Sequence, residues 1–251
     1  MNNWLTIITT CLNEETNISK HLDHLKDLSN IGIEIILIDG GSTDRTLDII
    51  DKYNYDKFKI FTYNKLSIYQ AFNVGISESS TNYLSFLGVG DILRMDFLIE
   101  AKKSINEYQF DILYGDLLYY DRENKYKYKF RSYNLLTKKN LKNFPFSHSG
   151  SIQRKDLFNK YGFFDINYKI ASDYDWLCRV VSLKALTAKK INFIQSEMSL
   201  GGFSTNEKHF KTLHDETSRI RNLYKISTSY KTRVITIIYL FKQFKKKYLN
   251  Y

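Results

Sequence analysis

The sequence predicts an α/β fold with a mostly parallel central sheet, helices on its faces and a helical tail at the C-terminal end. Two observations predict it. Strand-like and helix-like stretches alternate strictly over the first hundred residues, the pattern of parallel strands joined by helical crossovers. The composition, 43% hydrophobic and 25% charged over 251 residues, suits one sizeable core and excludes wholesale disorder.

Each element follows from local pattern. Leu5 to Cys11 is apolar and β-branched and reads as a buried strand. Ile18, Leu22, Leu25 and Leu28 recur at helical spacing until Gly32 breaks the pattern. Glu34 to Ile38 is a second buried strand, and Asp39-Gly40-Gly41-Ser42-Thr43 a turn whose Ser42 or Thr43 caps a helix bearing Leu47, Ile49 and Ile50. A third strand spans Phe58 to Tyr63, a helix Ile68 to Ser77, and a fourth strand Tyr83 to Leu87. Gly88 to Asp91 is a loop before a helix from about Asp96 to Asn106. The order then changes: Asp111 to Arg122 and Lys125 to Tyr133 are strand-like around a turn at Asp121 to Asn124, and Pro145 opens a loop to His148. Asp173 to Val181 reads as helix, Ile191 to Gln195 and Met198 to Ser204 as extended, and Glu207 to Tyr224 and Thr228 to Leu249 as two terminal helices.

Charge divides the chain. The net charge is +10, yet no acidic residue follows Glu216, whereas Arg219, Arg221, Lys225, Lys231, Arg233, Lys242, Lys245, Lys246 and Lys247 do. The body is therefore neutral and the tail basic, which predicts a domain over 1–216 and a basic amphipathic tail over 217–251. A nucleic-acid protein would more often carry its basic stripe on the fold itself, so no nucleic-acid partner is expected. Two cysteines, Cys11 and Cys178, exclude a disulfide scaffold and a cysteine-built zinc site. The longest apolar run near the C-terminal end, Val234 to Phe241, is too short to span a bilayer. The opening residues lack a basic n-region and read as the approach to the first strand, not a signal peptide. The expected location is the cytoplasm.

In open parallel sheets, ligands bind at the carboxyl ends of the strands. The polar residues there are Asn13 and Glu15 after the first strand, Asp39 to Ser42 after the second, Lys65 after the third and Asp91 after the fourth. Each alone has a plain structural reading as a turn or helix-start residue; together they converge on one rim. A carboxylate there can accept hydrogen bonds from a base or ribose, and a carboxylate with a metal can hold a diphosphate. Neither a phosphate loop ending in Gly-Lys-Ser/Thr nor Gly-x-Gly-x-x-Gly after the first strand is present, which argues against ATPases and dehydrogenases.

Several segments, in order, resemble family 2 glycosyltransferases, most closely the bacterial members that build capsule, O-antigen or exopolysaccharide. They are Thr9-Thr10-Cys11-Leu12-Asn13-Glu14-Glu15, Ile38 to Thr46 (IDGGSTDRT), Ile68 to Gly75 (IYQAFNVG), Phe86 to Asp91 (FLGVGD), Pro145 to Gly150 (PFSHSG), Ala171 to Trp176 (ASDYDW) with Arg179, and Gly201-Gly202-Phe203-Ser204. The resemblance covers about residues 3 to 206. It implies a GT-A fold, with a Rossmann-like sheet, and an inverting transfer of a hexose or N-acetylhexosamine from a UDP-sugar to a saccharide acceptor, expected to be lipid-linked. By position, Thr9, Cys11, Asn13, Glu15, Asp39, Ser42, Lys65, Asn73 and His148 would bind the nucleotide sugar, with Asp39 facing the base, and His148 would lie near the diphosphate or acceptor. Asp91 would bind Mn2+ or Mg2+, and Asp173 would be the catalytic base. Two positions depart from the family pattern: Gly90 stands where many members have a second Asp, and Ser172 where a Glu often precedes the base.

The chemistry calls for these residue types. A cation and basic groups neutralise the leaving diphosphate, and a carboxylate deprotonates the attacking hydroxyl. Plain alternatives stand beside several assignments. Asp173 fits a helix N-cap, Asp175 and Arg179 fit a structural i, i+4 pair, and His148 fits a core histidine equally well. Tyr119, Tyr120, Tyr126 and Tyr128 fit strand packing, with sugar stacking as the functional reading. Val234, Ile237, Ile238, Phe241, Phe244 and Tyr248 would share one helix face ringed by Arg233, Lys242, Lys245, Lys246 and Lys247. Such a helix suits peripheral attachment to an anionic membrane surface on its cytoplasmic side, or packing on the domain or a second subunit. The competing function is a nucleotide-sugar-binding protein that has lost catalysis.

Overall fold

The computed structural model describes residues 3–53, 55–120, 127–183, 186–199 and 207–227. The expected turn at Asp121 to Asn124, the Gly201 to Ser204 segment and the helix expected over Thr228 to Leu249 lie outside the described residues.

Four strand–helix steps build the first half, the last of them with two strands before its helix: β1 (Leu5–Cys11), α1 (Ile18–Ser29), β2 (Ile33–Asp39), α2 (Thr46–Tyr53), β3 (Phe58–Thr62), α3 (Ile68–Glu78), β4 (Tyr83–Gly88), β5 (Ile92–Leu93) and α4 (Met95–Glu107). The second half holds β6 (Ile112–Tyr120), β7 (Lys127–Phe130), β8 (Ile152–Arg154), α5 (Lys155–Tyr161), α6 (Ser172–Leu183), β9 (Ala188–Ser199) and α7 (Phe210–Leu223). The sheet runs β3-β2-β1-β4-β8-β6-β9-β5, with β7 pairing β6. Strands β3, β2, β1 and β4 are mutually parallel. Antiparallel β8 joins β4 to β6, and β6 runs parallel to β9.

Alternation along the strands feeds two cores. Ile8, Ile36, Ile38 and Phe86 face α3 and the second-half helices, where Phe72, Phe158 and Trp176 pack. Ile7, Ile35, Leu37 and Leu87 face α1, where Leu22 and Leu25 pack, and α4 through Phe97. A side-chain period of two on doubly covered strands produces this division, and explains why those strands read as unbroken apolar runs. Gly75 lets α3 lie against the sheet, since a Cβ there would strike Ile8.

Where periodicity was strong, the elements stand as expected. The short β8 and the seven-residue α5 carry no periodic signal in the sequence. The two extended stretches expected within 191–204 are joined through Ser196 into the single strand β9. The expected boundary between residues 216 and 217 falls inside α7, whose Thr217, Ile220 and Arg221 are buried. Among the described residues, no helix is long and apolar enough to cross a membrane.

Candidate functional site

Parallel pairing brings the ends of three strands to one edge: Cys11 lies opposite Asp39, and Thr10 opposite Gly88. The loops beyond them make a rim. Asn13 takes a left-handed backbone (φ 55°), a conformation Asn tolerates better than most residues. Its Oδ1 accepts from the Thr43 amide at 2.8 Å, and its own amide donates to Ser42 Oγ at 2.9 Å. Glu15 Oε2 accepts from the Arg45 amide at 3.1 Å and pairs with the Arg45 guanidinium at 3.3 Å. Asp39 is fully buried. Its carboxylate accepts from the Gly41 and Ser42 amides at 2.9 and 2.8 Å, from the Ser42 hydroxyl, and from the Cys11 thiol at 3.4 Å. Burial and the neighbouring Asp39 raise the Cys11 thiol well above its ordinary value, so it stays a donor.

Asp39 thus sits under the rim and shapes it, with its oxygens turned to the loop and not to the surface. Gly41, at φ 109°, completes the turn; a Cβ there would collide with the Asn64 carbonyl. The Leu66 amide donates to the Gly40 carbonyl at 2.9 Å, which sets exposed Lys65 beside the same loop.

Two expected binding residues point elsewhere. Thr9 is fully buried, with its hydroxyl 2.9 Å from His21 Nε2 inside the core. Asn73 grips the main chain of Phe164, donating to its carbonyl at 2.9 Å and accepting from its amide at 3.0 Å. Both positions lie within strand or helix, where the side chain's face is set by register, so motif position alone does not bring them to the rim.

Beyond β4 the rim continues as an aromatic wall. Asp91 is buried and accepts from Ser149 Oγ at 2.8 Å. Loss of hydration raises its carboxyl to about 7. His148 stacks on Phe86 (4.8 Å between centroids) and meets Phe164 edge-on (5.5 Å). Its Nδ1 is 3.1 Å from Gln153 Nε2, and its Nε2 is covered and has no partner among the described residues. Burial lowers its pKa to about 3, so the ring is neutral. Tyr69 continues the wall against Phe164 (5.6 Å), and its hydroxyl donates to Asp173 Oδ1 at 3.1 Å.

Asp173 opens α6 and accepts from the Tyr174 amide at 2.8 Å. Burial raises it to about 6, with Glu216 adding to the rise. Asp175 instead turns to Arg179 at 2.9 Å and to the Tyr224 hydroxyl at 3.2 Å, the structural pair its spacing predicts. Of the three carboxylates that burial raises among the described residues, Asp175 is held by Arg179 and Tyr224, whereas Asp91 and Asp173 stand on one wall, joined through Ser149, His148, Phe164 and Tyr69.

Residues not singled out from sequence support this arrangement. Glu216 accepts from three successive amides, Lys169, Ile170 and Ala171, at 2.7, 3.0 and 3.0 Å, fixing the entry to α6. Gln195 donates to the Ser147 and Ser149 carbonyls at 2.9 and 2.6 Å. His24 Nε2 accepts from the Leu93 amide at 3.0 Å, holding the chain just after Asp91. No sequence signal marks these long-range partners.

No group of three or more His, Cys, Asp or Glu residues is placed to hold a metal among the described residues. Asp91 is a single hard oxygen donor with one oxygen engaged by Ser149. That suits Mg2+ or Mn2+ shared with substrate phosphates, which needs only one or two protein carboxylates. A recess lined by Phe110, Asn134, Ala188, Lys189, Lys190 and Asn192 lies at the opposite end of β9 from Ser196 and contains none of these residues.

Comparison with known proteins bears on this geometry. The family described as "Glycosyl transferase family 2" matches residues 6–174. A "PGL/p-HBAD biosynthesis glycosyltransferase" from Mycobacterium bovis is 28% identical over 205 residues, covering 79% of this chain and 78% of the relative. The crystal structure of S. aureus TarS 1-349 in complex with UDP-GlcNAc superposes with a TM-score of 0.65 at 18% identity, covering 87% of this chain and 67% of that one. The mannosyltransferase PcManGT from Pyrobaculum calidifontis, in complex with GDP-Man and Mn2+, superposes with a TM-score of 0.59 at 12% identity. The present chain covers 82% of its own length and 59% of the mannosyltransferase in that match.

Proposed function

The chain belongs to glycosyl transferase family 2, is a glycosyltransferase on a GT-A fold, and on that premise we propose that it transfers a hexose or N-acetylhexosamine from a UDP-sugar to a saccharide acceptor with inversion. One observation carries the chemical part of this reading: two carboxylates, Asp91 and Asp173, lie on one aromatic wall with both pKa values raised by burial. Environments that raise carboxyl groups in this way are characteristic of working sites.

In this reading the β1 and β2 loops hold the nucleotide. Asp39 acts through the loop it shapes, and Lys65 supplies a cation toward the ribose or diphosphate. Asp91 faces the diphosphate and would hold Mn2+ or Mg2+ with it; when bound, such a cation neutralises charge on the leaving group. The TarS–UDP-GlcNAc complex and the GDP-Man/Mn2+ complex of the mannosyltransferase support a nucleotide sugar and a divalent ion in this fold. Asp173, ionised above about pH 6, takes the proton from the acceptor hydroxyl. That oxygen bonds to the anomeric carbon as the carbon–oxygen bond to the diphosphate breaks on the opposite face, which inverts the centre. Tyr69, held at the Ile170 carbonyl (2.5 Å) and at Asp173, orients the base.

The basic segment beyond Glu216 supports a lipid-linked acceptor and peripheral attachment to an anionic membrane surface. Co-sedimentation with anionic and neutral vesicles tests this, comparing the full chain with one ending near Lys225. Binding indifferent to lipid charge and salt rejects it.

The activity is tested by release of UDP from a panel of UDP-sugars with Mn2+, beside calorimetric binding of UDP. Donor turnover in the wild type and its loss in Asp173→Asn support an enzyme. Binding of UDP without turnover of any donor, with or without saccharides present, supports the catalytically inactive alternative.

A further inference from the structure

The β6–β7 hairpin carries an aromatic pair that the reaction described above does not use. Tyr119 and Tyr128 are direct partners in the antiparallel register. Their rings lie 5.4 Å apart and within 7° of parallel. Tyr119 is partly covered, whereas Tyr128 is 43% exposed, so the stack presents one phenol face to solvent.

The pair is tied to the Asp91 loop from both flanks. The hydroxyl of the adjacent Tyr120 donates to the Gly90 carbonyl at 2.9 Å. On the other flank Tyr119 pairs with Met198 of β9, whose sulfur accepts from Ser147 Oγ at 3.7 Å. Ser147 belongs to the same short loop as Ser149, the partner of Asp91.

Position separates this face from the nucleotide. The order β1-β4-β8 puts two strand spacings, about 10 Å, between β1 and the β8 edge of β6, and β7 pairs that same edge beyond β8, because β9 occupies the other edge along the whole of β6. Asp91, at the end of β4, stands between the two. A ring on Tyr128 would therefore approach Asp91 from the side opposite the nucleotide rim. Lys129, the next residue of β7, turns to Asp116 at 3.0 Å. Tyrosine offers a rigid, amphipathic contact at low entropic cost, suited to the C–H face of a pyranose, with its hydroxyl available to sugar oxygens.

We propose that the stacked Tyr119–Tyr128 pair, fastened to the Asp91 loop through Tyr120 and Met198, is the binding face for a pyranose ring of the acceptor. This rests on the glycosyltransferase reading and assigns the acceptor side of the same site.

The test uses the full chain and methyl β-glucopyranoside, methyl β-galactopyranoside and methyl 2-acetamido-2-deoxy-β-glucopyranoside as probes, each with and without UDP. Saturation-transfer NMR reads ring-proton contact, and calorimetry reads UDP affinity. The wild type saturates the ring protons of at least one probe. Tyr128→Ala and Tyr128→Thr, the latter retaining strand propensity, lower that signal about tenfold, the scale of an aromatic contact. Tyr128→Trp keeps it, and UDP affinity stays within twofold throughout. An undiminished signal in both truncations, or no probe contact with the wild type, overturns the proposal. Failure of UDP to bind the wild type strikes the donor reading instead, because the pyranoside signal is measured without nucleotide as well.

Discussion

On the rim beside β1 and β2, the Asp39 carboxylate receives two amides, a hydroxyl and a thiol. On the wall beyond β4, Asp91 receives the Ser149 hydroxyl and a weaker contribution from the Gly88 amide, and Asp173 the Tyr174 amide and the Tyr69 phenol with a weaker contribution from its own amide, and for both the effect of burial is larger. The difference is one of task. A carboxylate that shapes a loop is stabilised by being fully hydrogen-bonded, as are the structural carboxylates Glu34 and Asp116, whose lysine and other hydrogen-bond partners hold them below their ordinary values against the opposing effect of burial. A carboxylate kept for a proton or a cation is left under-partnered in a dry place, and its ionised form is disfavoured until a ligand arrives. Removing charge should therefore have opposite effects on stability in the two regions.

Asp173→Asn carries the largest expected effect. Loss of a general base lowers turnover ~100-fold or more while leaving UDP affinity unchanged. Its folded pKa, about 6, lies above the ordinary 3.8. For an acid this means stability is lost as pH rises from about 4 to 6, and the loss persists above that range. The variant is thus expected to be more stable than wild type by ~1 kcal/mol at pH 7.5, with the gain vanishing near pH 4. Denaturant melts across pH check the sign; a less stable variant at pH 7.5 would place Asp173 with the structural carboxylates.

Asp91→Asn should follow, with turnover reduced roughly tenfold or more through weaker neutralisation of the diphosphate. Here the raised value is about 7, so the stability of the wild type without cation should fall between about pH 4 and 7. Adding Mn2+ with UDP should restore it in the wild type and not in the variant. A thermal-shift titration reads both, and full turnover in excess chelator would remove the metal from the scheme.

Asp39→Ala should act the other way. It leaves the Gly41 and Ser42 amides without their acceptor, at a cost of ~1 to 3 kcal/mol. UDP affinity should weaken by a similar amount as the loop loosens, and stability should fall at neutral pH. Unchanged UDP affinity with lowered stability would separate the loop from the nucleotide.

The two regions also differ in how far the sequence reveals them. Rim and parallel strands are local: each loop residue follows its strand directly, and Asp39, Gly41 and Ser42 bond within three residues. The wall is assembled over distance. Tyr69 reaches Asp173 across 104 positions and Ser149 reaches Asp91 across 58, and neither link leaves a periodic trace. The strand-end position marks Asp91 in the sequence, and motif resemblance marks His148 and Asp173. It did not reveal that His148 lies as a neutral ring against Phe86, or that Asn73 grips the chain at Phe164. Those facts depend on which face a helix or loop turns inward. Glu216 was legible only as the last acidic residue, because its three amide partners lie 45 to 47 positions earlier.

The smallest expected effect tests the wall most closely. The Tyr69 hydroxyl favours the ionised form of Asp173 by donating to it, whereas the charge of Glu216 disfavours that form. Tyr69→Phe removes the donor and keeps the ring against Phe164. The acidic limb of the rate profile should then move above its wild-type midpoint near pH 6 by a fraction of a unit. Turnover should drop at pH 6 and approach the wild-type value at pH 8.5, where the carboxylate is ionised regardless. Glu216→Gln retains an oxygen for the Lys169 to Ala171 amides and removes the charge, so the same limb should move to lower pH. A structural defect would depress turnover at every pH in both variants. Opposite displacements from two residues on different helices require instead that both act through the ionisation of Asp173. If the two profiles moved together, or if neither moved while the rate fell, the group that titrates in turnover would not be Asp173.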